Sequence, residues 1–124
     1  MLVSAHFGLP VLIRLVVEGR GARVVGVGES FTQGVDVAIG RDVWTRAQAL
    51  QRLRAEVEGG NVCVLLADVR GDRYIETPFL QGHIPVVPGA FVLARATRSP
   101  LLPVFAVRAP GAWHFRVAFG PPLS

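Results

Sequence analysis

The chain has 124 residues, 51% of them hydrophobic, and a formal net charge of +4 carried by arginine. That length suits one domain able to bury roughly two thirds of the surface it exposes when unfolded, and the composition excludes a disordered chain. The single cysteine, Cys63, excludes an internal disulfide, and no apolar stretch approaches the ~20 residues that a membrane-spanning helix needs.

In chain order, strand-like and helix-like patterns alternate, which predicts an α/β fold with a mixed central sheet of about six strands flanked by helices. Leu2 to Ala5 reads as a short strand. Pro10 suits the first turn of a helix, and Leu9, Leu12, Ile13, Val16 and Val17 recur at helical spacing, with Arg14 and Glu18 paired on the other side. Gly19 and Gly21 end it. Ala22 to Val27 is a second strand, and Gly28 to Gly40 a glycine-containing loop. The longest helix is expected from Asp42 to Glu58, with Val43, Ala47, Leu50, Leu53 and Val57 as its buried stripe. Arg52 with Glu56 and Arg54 with Glu58 make i,i+4 pairs on the wet side.

Asn61 to Ala67 is apolar throughout after its first residue, the pattern of a central strand covered on both faces. Cys63 lies inside it and reads as a small buried hydrophobe. Arg73 to Thr77 is a short strand, Gln81 to Pro88 a loop, and Gly89 to Arg98 a helix with Ala90, Leu93, Ala94 and Thr97 on one side. Leu101 to Val107 and Trp113 to Phe119 form a hairpin about Ala109-Pro110-Gly111-Ala112. The closing Gly120-Pro121-Pro122 predicts no regular structure beyond it.

Three places carry chemistry. His6 follows the first strand and precedes a helix, a junction at the carboxyl edge of an open α/β sheet, where ligands bind. There it can act as a general base; the other reading is a capping or packing residue. Asp68 ends the apolar strand at the same edge, either as a ligand contact and orienting group or as a turn residue. Pro78 to Gly89 leads into a helix whose free N–H groups can hold phosphate or an oxyanion; otherwise it is an ordinary crossover, with His83 a surface residue. Nucleophile elbow, phosphate-binding loop and zinc-type spacings are absent from the sequence, so no metal and no cofactor is expected. Arginines and aromatics do not interleave as a single-stranded nucleic-acid platform requires.

Taken together, these segments resemble the lysophospholipid acyltransferase superfamily, and most of all its bacterial lipid A (lauroyl/myristoyl) acyltransferase branch. The resemblance runs through Ser4-Ala5-His6-Phe7-Gly8, then the helix ending at Gly59-Gly60 and the strand with Asp68. It continues through Pro78-Phe79-Leu80-Gln81-Gly82 and Pro88-Gly89-Ala90-Phe91-Val92-Leu93-Ala94-Arg95 to Ser99-Pro100-Leu101-Leu102-Pro103-Val104-Phe105. It covers almost the whole chain. It implies an acyltransferase that moves a fatty acyl group from acyl-acyl carrier protein or acyl-coenzyme A to a lipid or glycolipid hydroxyl. In that mechanism the histidine, here His6, takes the acceptor's proton, and a carboxylate five positions later orients it; His6 and Asp68 are the candidate catalytic residues of this chain, and Gly82, Gly89 and Arg95 the candidate contacts for substrate or phosphate. An apolar groove between helix and sheet would take the acyl chain. Peripheral contact with the inner face of the cell membrane, from a cytoplasmic location, follows from the same likeness.

Two departures stand out. The family's orienting carboxylate comes five positions after the histidine, where this chain has Val11. Glu29, Asp36 and Asp68 are the candidate replacements, with Glu18 a poorer one. The resembled enzymes are also longer and carry an N-terminal membrane-associating helical part, so the chain reads as partial relative to them. Both motivate an alternative: a catalytically degenerate domain that binds lipid or an acyl carrier. A phosphate- or nucleotide-binding domain unrelated to acyl transfer is a third reading. A short, unprotected first strand would favour pairing with a second copy of the chain, a homo-oligomer.

Overall fold

The computed structural model describes residues 1–5, 11–28, 36–68, 73–111 and 113–124. Its strands are β1 (Leu2–Ser4), β2 (Val24–Gly28), β3 (Val37–Ala38), β4 (Val62–Leu66), β5 (Ile75–Phe79), β6 (Gly82–Val86), β7 (Leu102–Arg108) and β8 (Phe115–Phe119). The helices are α1 (Val11–Glu18), α2 (Val43–Glu58) and α3 (Gly89–Thr97). A six-stranded sheet runs in the order β3-β2-β4-β1-β7-β8, and β5 and β6 form a separate ribbon. All the pairings in the larger sheet are parallel except β7 with β8. The fold is therefore α/β with a mixed sheet and helices on both faces, as the alternating patterns predict.

Strand alternation sends neighbouring side chains to opposite layers. Leu2, Val104 and Ala106 pack with Ile13 of α1. Val3, Val25, Cys63 and Leu65 pack with Ala49 and Leu53 of α2 and with Ala90, Leu93 and Ala94 of α3. The apolar run of β4 is used on both sides: Cys63 and Leu65 serve one core, while Val62 and Val64 pack against the other.

Several expectations need correction. β1 is not an exposed edge; it lies between β4 and β7, with Leu2 opposite both Val64 and Leu102. The argument for self-pairing through β1 therefore falls, and the sheet ends instead at β3 and β8. The expected loop from Gln81 to Pro88 contains β6, which pairs along its length with β5. Each strand of a two-stranded ribbon is an edge strand, so Pro78 and Pro85 can be accommodated without breaking a ladder on both sides. The loop from Gly28 to Gly40 contains β3, too short to leave a pattern. In α2 the buried stripe is Ala49 and Leu53, while Val43 and Leu50 are exposed. Glu56 turns to Arg23 and Asn61 rather than to Arg52. The Arg14–Glu18 and Arg54–Glu58 pairs form as expected. Trp113 belongs to the turn before β8, and beyond the last prolines Leu123 still bridges to Leu101.

Candidate functional site at the carboxyl edge of the sheet

Parallel pairing brings the carboxyl ends of β1, β2 and β4 to one edge. Ser4 stands opposite Leu66, and Gly26 opposite Val64. Past the strands the contact continues through the backbone. Ala67 N–H donates to the Ser4 carbonyl at 2.8 Å, and Val87 N–H donates to the Ala67 carbonyl at 2.7 Å. Asp68 is thus held beside the end of β1 on one side and the entry to α3 on the other. Its residue is half-buried. His6 lies outside the described residues; Ala5, just before it, leaves β1 at this edge.

Gly89 opens α3 two residues after Val87, so the start of that helix sits next to Asp68. Its N-cap is Pro88, which offers no side-chain cap, and Val92 N–H is bonded to the Pro88 carbonyl. Leading amide groups of a helix have no partner within the helix and favour anions. A Cβ built on Gly89 would meet nothing within 4 Å, so the approach is open. Gly82 and Arg95 are placed elsewhere. Gly82 pairs with Phe79 beside the hairpin turn, about 13 Å along the strand from Val86 at the base. Arg95 lies in the last turn of α3, about 9 Å along the helix axis from Gly89. Of the candidate substrate contacts, Gly89 alone joins Asp68.

The candidate replacements for the missing acid can be sorted by their partners. Asp36 accepts from Gly26 N–H at 2.7 Å and from Arg14 at 2.8 Å. Burial alone would raise its pKa, but these donors outweigh burial and hold it below the usual carboxylate range. Glu18 is bound by Arg14 at the far end of α1. Glu29 lies outside the described residues. Val11, at the start of α1, is exposed. Among the described carboxylates, Asp68 is the one at the edge where β1 and β4 end.

Two surface concavities border α2. One, of about 170 Å³, lies between α2 and α3 and is lined chiefly by Leu50, Val92, Leu93 and Ala96. The other, of about 310 Å³, lies between α2 and β3, where Gln48 and Arg52 join Val37 and Ala49. The expected groove between helix and sheet corresponds to the second, which is part polar; the more apolar groove is between helices. Sequence reading missed the Asp36–Arg14–Gly26 latch, since Asp36 sits in a stretch without a pattern. Among the described residues, no group of three His, Cys, Asp or Glu side chains is placed to hold a metal ion, and no helix is long and apolar enough to cross a membrane. No protein-family model matches the chain, and no curated protein matches it.

Proposed function

We propose that this protein transfers a fatty acyl group from acyl-acyl carrier protein or acyl-coenzyme A to a lipid or glycolipid hydroxyl, working from the cytoplasm at the inner face of the membrane. The observation that supports this best is the convergence at one sheet edge of the strand leading to His6, the carboxylate of Asp68 and the uncapped start of α3 at Gly89. In the proposed reaction, His6 accepts the proton of the acceptor hydroxyl as its oxygen attacks the thioester carbonyl. The carbon–sulfur bond breaks, an ester forms, and the proton passes to the departing thiolate. Asp68 orients the histidine and stabilises its charge in place of the carboxylate replaced by Val11. The α3 amides hold a phosphate of the donor or the oxyanion.

Val11 favours a second reading, a degenerate domain that binds acyl carrier or lipid without turnover. Thiol release from a series of acyl-coenzyme A donors separates the two. Acyl transfer requires release that His6→Ala abolishes; binding of the donor with no release by the unmodified protein leaves only the binding domain.

A further inference from the structure

The two outer strands of the six-stranded sheet, β3 and β8, differ as edges. β3 has only two residues, too short to recruit another strand. β8 has five, Phe115-Arg116-Val117-Ala118-Phe119, in unbroken register with β7. It holds no proline, lysine or bulge to blunt it. Among the described residues, no strand covers its outer side.

The hydrogen bonds to β7 fix which backbone groups are left over. Ala109 N–H donates to the His114 carbonyl and Gly120 N–H to the Pro103 carbonyl, both at 2.8 Å. Hydrogen-bonded positions alternate along an antiparallel ladder, so between these two ends Arg116 and Ala118 turn their N–H and C=O groups to β7. Phe115, Val117 and Phe119 turn theirs outward. Past Gly120 stand Pro121 and Pro122, which have no N–H to offer. The outward set is therefore three residues with Val117 in the middle. Residues directly opposite share a face, and opposite Phe119 and Val117 stand Val104 and Ala106, which pack with Ile13 of α1. On that face Val117 is half-buried, while Phe115 and Phe119 remain 40% and 43% exposed.

We propose that β8 is a self-pairing edge, joining two copies of the chain antiparallel about a two-fold axis at Val117. The strand is complementary to its own reverse. With Val117 opposite Val117, Phe115 of each copy stands opposite Phe119 of the other, and Arg116 opposite Ala118. Both aromatic pairs form at once, and no two arginines face each other directly. The outward N–H and C=O groups coincide with this register, so Val117 bonds its own equivalent and Phe115 bonds Phe119. A second copy fits better than an unrelated strand because one two-fold satisfies both the backbone and the side chains. The reading does not rest on acyl transfer: reversing the strand direction puts the two candidate sites at opposite ends of the joined sheet. A strand of this length spans about 17 Å, a small interface, so reversible association on the order of tens of micromolar is expected.

Sedimentation velocity of the full chain, from dilute solution to roughly 1 mM, tests the association. The expected result is a reversible monomer–dimer equilibrium. Amide exchange followed by NMR over the same range tests the edge. Exchange at Phe115, Val117 and Phe119 should slow severalfold with concentration, while Arg116 and Ala118, already bonded to β7, should change less. Phe115→Lys should weaken association about tenfold or more, and Phe115→Lys combined with Phe119→Glu should restore it, because each lysine then faces a glutamate of the other copy. The proposal is overturned by a monomer at every concentration, or by a dimer whose formation leaves exchange at those three amides unchanged. It is overturned equally if Phe115→Lys associates as tightly as the unmodified chain, or if the charge pair fails to restore what Phe115→Lys removes. The exchange pattern needs no substitution, so it decides the case even where a variant unfolds.

Discussion

Asp36 and Asp68 both lie beside strand ends, yet their surroundings fit them for different tasks. Asp36 is taken up by Gly26 N–H and Arg14, joining β2 to α1. Its lowered pKa gives a defined sign: the stability it adds is present above the ordinary value near 3.8 and is lost as pH falls below it. Asp36→Asn should therefore cost about 1 kcal/mol at neutral pH, allowing for its partial exposure, and flatten the acid limb of the stability curve in urea titrations. Thioester turnover should change little in that variant. Asp68→Asn should instead lower turnover at least tenfold. Cys63 gives a further residue-scale test. Burial pushes its thiol up to about 11, so a thiol reagent at neutral pH should label it only after unfolding.

At the scale of elements, α2 and the β5–β6 ribbon make contrasting contributions. Leu53 is fully buried between α2 and the sheet, and Leu53→Ala should destabilise the fold by about 2–5 kcal/mol in urea unfolding. The ribbon is different, because a lone pair of strands has little stability of its own. Its turn holds Leu80 at φ 53°, a left-handed conformation that favours glycine. Leu80→Gly should relieve that strain and slow amide exchange within β5 and β6. The same turn explains why β6 was not legible in the sequence. A two-residue hairpin is usually announced by glycine or asparagine, and here Leu80-Gln81 stands in that place between two proline-bearing strands. By contrast, β4 was readable because its apolar run has no polar interruption, and α3 because Ala90, Leu93 and Ala94 recur at helical spacing. The stripe of α2 was misplaced because alanines and leucines occur on more than one side, and only packing against α3 and β4 selects Ala49 and Leu53.

For the whole molecule, the alternation of patterns was enough to give the α/β class and a mixed sheet flanked by helices; the strands it supplied included β5, which lies in the ribbon, and omitted β3, which completes the six-stranded sheet. Strand order was not legible, since the placement of β1 at the centre depends on long-range pairing with β4 and β7. Asp68 and Gly89 were readable as edge residues from the strand and helix that they terminate. That Gly82 and Arg95 stand apart from them follows from the length of the ribbon and of α3, which spacing alone does not reveal. Acyl transfer rests on the shared edge of Asp68, Gly89 and the strand leading to His6. The most direct test is to incubate the protein with an acyl-coenzyme A donor and vesicles containing a lysophospholipid or glycolipid acceptor, then weigh the extracted lipid by mass spectrometry. Acyl transfer predicts an acceptor heavier by the donor's acyl group, and no such product with His6→Ala. An unmodified acceptor, with donor bound and intact, would contradict it.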